Sequence, residues 1–249
     1  MNALTVENLS VAYDKKTVLE NASVTVPTGR LSAIIGPNGA GKSTFLKAIL
    51  NQLPNKVGKV KILGKNFDPK SLVVGYVPQR NAVDWDFPTN ALDIVLMGRY
   101  GHTGLFKRPS KQDKMLANQA LESVGMQDFA ERSIGQLSGG QQQRVFLARA
   151  LAQNADIYFL DEPFAGVDAA TEKTIIDILK SLKAQGKSIF VVHHDLQTVK
   201  EYFDYTILLN KTILASGATE DVFTAEQLQK TYGGKLFMIE DTLGANSVC

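Results

Sequence analysis

The sequence predicts an α/β fold, and three observations carry that expectation. The stretch Gly36-Pro37-Asn38-Gly39-Ala40-Gly41-Lys42-Ser43-Thr44 fits the pattern glycine, four residues, Gly-Lys, then Ser or Thr. An apolar run over residues 31–35 precedes it, and a helical pattern with Phe45, Leu46, Ile49 and Leu50 apolar follows over residues 42–50. Farther on, apolar strands at residues 157–160 and 188–192 bracket an amphipathic helix over residues 171–184.

A strand, a glycine-rich loop and a helix in that order suit phosphate binding. Glycines at 36, 39 and 41 let backbone N–H groups turn inward without Cβ clashes. Those groups and the positive end of the helix dipole receive phosphate oxygens. Lys42 would reach the β- and γ-phosphates, and the Ser43 hydroxyl would ligate Mg²⁺.

Composition narrows the class. A chain of 249 residues can bury a sizeable core in one large α/β domain or two small ones. Lys and Arg number 27 against 25 Asp and Glu, a net charge of +2 that gives no electrostatic case for nucleic-acid binding. Cys249 is the only cysteine, so a disulfide within the chain is impossible and a reducing cytoplasm is the natural setting. Met1 begins no apolar targeting segment, and no run approaches ~20 apolar residues. Any membrane role is therefore expected to come through a partner.

In chain order, residues 4–11 and 18–26 alternate apolar and polar side chains and read as two strands around the turn Asp14-Lys15-Lys16. Tyr13 at that turn is either an ordinary strand-end aromatic or a flat face on which a base stacks. Residues 56–63 and 72–77 read as strands, and Pro78-Gln79 follows the second. The Gln79 amide there would come near Mg²⁺ and an attacking water, or else lies in a plain surface loop. Residues 81–109 change character, with Trp85, Phe87, Tyr100 and Phe106 punctuated by Pro88 and Pro109. Residues 111–124 are helical, so this stretch looks like a helical insertion between core strands.

Leu137-Ser138-Gly139-Gly140-Gln141 opens a further helix that runs to Leu151, with Ser138 at its expected N-cap. A hydroxyl and glycine N–H groups at a positive helix end make either a second anion site or simply a capped helix with a flexible start. The strand over residues 157–160 runs into Asp161-Glu162-Pro163. A carboxylate there suits Mg²⁺ and Glu162 is placed for a water, or else the two are a solvated acidic pair at a strand end. Pro163 biases Glu162 toward extended backbone. Residues 165–168 form a turn ending in Asp168. Of His193-His194-Asp195, after the strand over residues 188–192, only one histidine is expected to face a site, because neighbours in an extended chain point oppositely. A hairpin around Asn210-Lys211 and a tail with short helical patterns from residue 219 complete the chain.

These residues carry a resemblance that spans essentially the whole chain. The order GPNGAGKST, Gln79, LSGGQ, LDEP, AGVD and HHD resembles the ATP-binding subunit of ABC transporters. The resemblance implies an ABC-type phosphate-loop ATPase core with a helical subdomain inserted at about residues 82–153, an antiparallel β subdomain, and a C-terminal tail over residues 219–249. On these positions it makes Tyr13 the adenine-stacking aromatic, Gly36 to Thr44 the Walker A loop, and Gln79 the Q-loop glutamine. Ser138, Gly139, Gly140 and Gln141 lie in the signature, which serves the ATP of a second copy. Asp161 is the Walker B aspartate, Glu162 the general base or water-positioning residue, Asp168 the D-loop aspartate and His194 the switch histidine. Ser43, Gln79 and Asp161 would surround the Mg²⁺ that accompanies ATP. Most relatives carry Thr or Ser where His193 stands, so His194 is assigned by its adjacency to Asp195.

A narrower resemblance lies outside the ATP motifs. Pro78-Gln79-Arg80, Val83-Asp84-Trp85-Asp86-Phe87-Pro88, Met97-Gly98-Arg99-Tyr100-Gly101, Gly125-Met126 and the Pro163 to Asp168 turn are similar to bacterial manganese, zinc and iron importer ATPases. It implies a homodimer on the cytoplasmic side of the membrane, a membrane permease, and an extracytoplasmic substrate-binding protein, with manganese as cargo. It also implies that the aromatic stretch receives a short helix of the permease; the other reading is that Trp85, Phe87 and Tyr100 fill the subdomain's own core. Rival ATPases of DNA would need a long coiled coil between Thr44 and Leu137. Translation-associated ones would need tandem domains, and a phosphate-loop kinase would lack LSGGQ.

Overall fold

The computed structural model describes residues 1–14, 16–68, 74–85, 87–103 and 108–233. Lys15 of the expected turn, Leu72 at the head of an expected strand, Asp86 and Phe106 of the aromatic stretch, and residues 234–249 with Cys249 lie outside them. In chain order the elements are β1 Asn2–Tyr13, β2 Lys16–Pro27, β3 Leu31–Ile35, α1 Lys42–Ile49, β4 Lys56–Ile62, β5 Lys65–Asn66 and β6 Val74–Val77. Then come α2 Ala91–Met97, α3 Tyr100–Thr103, α4 Lys111–Ser123, α5 Gly139–Ala152, β7 Ile157–Asp161, α6 Ala169–Ala184 and β8 Ser188–Val192. Last are α7 Val199–Tyr202, β9 Tyr205–Asn210, β10 Thr212–Ala218, α8 Thr219–Val222 and α9 Ala225–Tyr232. No helix among the described residues is long and apolar enough to cross a membrane. The chain divides into two compact units, Met1–Phe67 with Phe190–Cys249, and Asp68–Ile189.

The first unit holds an antiparallel sheet in the order β2-β1-β4-β5. Tyr13 pairs with Lys16, so Lys16 belongs to the strand and not to the turn, where Asp14 takes φ 52°. Leu4, Val6, Leu9 and Val11 are buried in β1, and Leu19, Ala22, Val24 and Val26 in β2. That alternation is the expected half-buried pattern. The same unit pairs β3 parallel with β9, and β9 antiparallel with β10. All five residues of β3 are buried, as a strand covered on both faces requires. The α/β expectation is met, with an antiparallel sheet beside it.

The second unit pairs β6 parallel with β7 and carries α2 to α6. Helix α2 lies in the aromatic stretch over residues 81–109, part of the expected helical insertion but with no helix of its own marked there. Its sequence Ala-Leu-Asp-Ile-Val-Leu-Met is too short and too uniformly apolar to show a period, but Asn90 caps it, accepting from the Asp93 N–H at 2.7 Å. Gly98 ends it where a Cβ would lie 2.2 Å from the Arg149 carbonyl oxygen of α5. Arg99 then anchors the turn from inside, donating to the Asp113 carboxylate at 3.0 Å and the Ala152 carbonyl at 2.9 Å.

Candidate nucleotide site

In the first unit the phosphate loop is tied together by its own lysine and backbone. Lys42 is buried, and its ammonium donates to the Gly36 carbonyl at 2.7 Å and the Pro37 carbonyl at 3.1 Å. The Ala40 N–H closes a turn onto Pro37 at 3.1 Å, and the Lys211 N–H holds the Ala40 carbonyl at 2.9 Å. Two glycines are obligatory. A Cβ on Gly36 would lie 1.9 Å from the Leu209 carbonyl oxygen, and Gly41 takes φ 97° at the N-cap of α1. The loop therefore presents its backbone at the N-terminus of α1 with the Lys42 cation inside it, a geometry that accepts a polyphosphate. Tyr13 stands at the end of β1 with its ring half exposed.

His194 belongs to the same unit and is exposed, whereas His193 is buried. The alternation expected of adjacent residues thus holds. The His193 N–H donates to the Ile34 carbonyl at 3.1 Å, which sets this loop against the strand that feeds the phosphate loop. The His193 ring Nε2 bonds the Thr198 hydroxyl at 2.8 Å, and the Asp195 carboxylate accepts from the Gln197 N–H at 2.9 Å. Burial, and then the charge of neighbouring His194, pull His193 from 6.5 down to about 4, against a smaller upward pull from Asp195. The sign follows. Above pH 6.5 the ring is neutral folded or unfolded and costs nothing; as pH falls from 6.5 toward 4 the unfolded chain binds the extra proton and stability drops. His193→Thr is expected to flatten the fall of melting temperature across that window, and an unchanged slope would contradict it.

In the second unit, parallel register brings two predicted residues together. Val77 pairs with Leu160, and two residues beyond each of them Gln79 and Glu162 face one another. The Gln79 side-chain N–H donates to the Glu162 carboxylate at 2.8 Å. Asp161, at the end of β7, is 1% exposed, and burial together with its charge pushes the Tyr76 hydroxyl up to about 12. The expectation of extended backbone at Glu162 is wrong: it takes φ 52°, in the left-handed region. A tight turn, with the Ala165 N–H on the Glu162 carbonyl at 3.1 Å and Pro163 buried, overrides the local preference.

Ser138 caps α5 as expected. Its hydroxyl accepts from the Gln141 N–H at 3.3 Å, while the Gln141 side chain accepts from the Ser138 N–H at 2.9 Å. Gly139 and Gly140 follow as the first helical residues, and a Cβ on Gly140 would lie 3.3 Å from the Thr171 hydroxyl of α6. Asp168 is the N-cap of α6, accepting from the Thr171 N–H at 2.7 Å; those hydrogen bonds hold its carboxyl below the usual range. Sequence reasoning gave no role to Arg80, Gln142 or Thr198. The pair Gln142 and Gln143, both buried in a helix whose other buried side chains are apolar, was the available signal, because a buried amide demands partners.

The ABC transporter family model matches residues 19–165. The chain belongs to the ABC transporter family. Two of its relatives are similar over nearly their whole length. The manganese transport system ATP-binding protein MntB of Bacillus subtilis (strain 168) is 60% identical over 94% of each chain. The zinc transport system ATP-binding protein TroB of Treponema pallidum (strain Nichols) is 56% identical over 94% of this chain and 88% of that one. Among solved structures, a nucleotide-free ATP-binding cassette from an ABC transporter has a TM-score of 0.79 at 25% identity, covering 93% of this chain and 95% of that one. As an ABC domain the chain binds ATP.

The aromatic stretch of this ABC subunit splits in two. Trp85 is half-buried, its indole N–H donating to the Arg80 carbonyl at 2.9 Å and its ring edge-on to buried Phe146 at 5.0 Å. Phe87 and Tyr100 are 55% and 49% exposed. Trp85→Ala is therefore expected to destabilise the isolated subunit by about 2–3 kcal/mol, less than a fully buried aromatic loses. An unchanged melting temperature, with loss of complex assembly alone, would make Trp85 a docking anchor instead.

Proposed function

We propose that the chain is the ATP-hydrolysing subunit of a membrane importer for a divalent transition metal, with manganese as the cargo. The observation that carries the hydrolytic part is the Gln79–Glu162 hydrogen bond at 2.8 Å, a carboxylate at the end of one strand held by an amide at the end of its neighbour. The manganese transport relative at 60% identity supports the cargo, and the zinc relative at 56% supports zinc as the second reading.

In this reading the loop from Gly36 to Thr44 holds the phosphates of ATP, Lys42 neutralises the β- and γ-oxygens, and Tyr13 stacks on adenine. Ser43, Asp161 and Gln79 would hold Mg²⁺. The donor set fits: a hydroxyl, a carboxylate and an amide are hard oxygen ligands, and the carboxylate is buried, where a cation offsets its desolvation. When bound, the ion supplies charge neutralisation of the phosphates. Glu162 orients a water for in-line attack on the γ-phosphorus and takes its proton, and His194 steadies the γ-phosphate. The γ-phosphorus gains the water oxygen and releases ADP.

Two copies close head-to-tail with C2 symmetry, so that Ser138, Gly139, Gly140 and Gln141 of each meet the ATP held by the other, with Asp168 at the seam. ATP stabilises the closed dimer by bridging both chains, and hydrolysis removes that differential contact. Residues 82–153 act as the helical subdomain, whose exposed Phe87 and Tyr100 receive the permease. The subunit sits peripherally on the cytoplasmic face, and an extracytoplasmic protein delivers the metal. Purification from membranes tests this: the chain should travel with a polytopic membrane subunit whose ATPase it supplies. Isolation with DNA or ribosomes and no membrane subunit would contradict it.

A further inference from the structure

Arg80 directly follows Gln79, and its side chain crosses to the helix that opens with Gly139. Its Nε and Nη2 donate to the Gln142 side-chain oxygen at 3.4 and 3.2 Å. Gln142 is 4% exposed and passes the link on, its own amide donating to the Ile134 carbonyl at 3.1 Å. The guanidinium lies against Gly139, where a Cβ would stand 3.0 Å from both Cζ and Nη1. It also reaches the turn before Asp168, 3.7 Å from where a Cβ on Gly166 would stand. The Arg80 backbone is held too, its carbonyl accepting from the Trp85 indole at 2.9 Å.

Beyond Arg80 the same two segments are laced along their length. Ile134 donates to the Thr89 carbonyl at 3.0 Å, Ala91 donates to the Arg132 carbonyl at 3.1 Å, and Asn90 bridges Ser133. The segment after Gln79 and the segment before and into α5 are thereby joined at several points. Among the described residues, the Arg80 link is the one that runs from the residue beside Gln79 to the first turn of α5.

We infer that Arg80 is the positioning residue that couples the two ATP-facing surfaces of one chain, the Gln79–Glu162 pair and the Ser138 to Gly140 turn. The inference rests on the head-to-tail reading above, in which those surfaces meet two different ATP molecules. When γ-phosphate displaces Gln79, Arg80 carries the shift into α5 and so into the site shared with the partner copy. Occupancy of one site then favours occupancy of the other, which is positive cooperativity transmitted by a named contact. The chemistry calls for arginine. A planar fork can hold one oxygen with two N–H groups and lie over a bare Cα, and a lysine ammonium can do neither.

The experiment is an ATP titration of ATPase rate, with ATP-dependent dimerisation and the nucleotide affinity of the monomer measured alongside. The parent should dimerise with ATP and show a Hill coefficient above 1. Arg80→Ala should bring that coefficient to about 1 and lower the rate about tenfold, with monomer affinity for a fluorescent ATP analogue within about twofold of the parent. Arg80→Lys should not rescue it. Gln142→Ala should move both readouts the same way, and the double variant should be no worse than Arg80→Ala, as two members of one link require. Should Arg80→Ala fail to fold, the Arg80→Lys and Gln142→Ala titrations decide. An unchanged Hill coefficient in the folded variants, a parent that dimerises but shows no cooperativity, or losses that multiply in the double variant would each overturn the coupling. A parent that does not dimerise with ATP would instead bring down the head-to-tail reading on which it stands.

Discussion

Glu162→Gln is expected to lower ATP turnover by ~10²-fold or more while ATP binding and dimer closure persist. The substitution keeps the shape of the side chain and its place opposite Gln79, so only the carboxylate charge and its capacity to take a proton are lost. Glu162 sits at φ 52° on a turn closed by the Ala165 N–H, and a strained position of this kind persists only where its surroundings over-determine it. The variant should therefore fold as the parent does and accumulate as a closed, ATP-loaded dimer. Steady-state hydrolysis near the parent rate would show that Glu162 is not the group acting on water.

The second large effect appears when two inactive chains are mixed. Lys42→Ala removes the buried ammonium that spans the phosphate loop, and Ser138→Arg puts bulk and charge where Ser138 and Gln141 cap one another. Each homodimer should lose ATP-dependent closure. In a dimer with one chain of each kind, both lesions fall on a single composite site, and the other is built from intact Lys42 and intact Ser138. Mixing should restore part of the closure. Retained ATP-dependent dimerisation by the Ser138→Arg homodimer would count against closure through the signature.

The phosphate loop, the cap at Ser138 and the strand ends carrying Gln79 and Asp161 were all legible in the sequence, because each is a local pattern. Glycine spacing fixes a loop, a serine before Gly-Gly fixes a helix start, and a short apolar run fixes a buried strand. What escaped was non-local. The pairing of Val77 with Leu160 sets Gln79 against Glu162, and no spacing along the chain announces a partner 83 residues away. Backbone at Glu162 defied its proline neighbour because a turn of buried residues decided it. Trp85 and Phe87 are indistinguishable as aromatics in one stretch, yet one packs on Phe146 and the other faces solvent. The histidine pair is the reverse case: alternation predicted that the two rings face opposite ways, and the family resemblance, through adjacency to Asp195, chose His194, which is the exposed one.

The central claim is that this ATPase powers metal entry, and uptake measured ion by ion tests it most directly. Cells lacking the chain, supplied with the parent or with Glu162→Gln, would be given labelled Mn²⁺, Zn²⁺ or Fe²⁺ in turn. The parent should restore Mn²⁺ accumulation and Glu162→Gln should not, although both are present at the membrane. Equal uptake of every metal in cells with the parent, the variant or no chain at all would contradict the account.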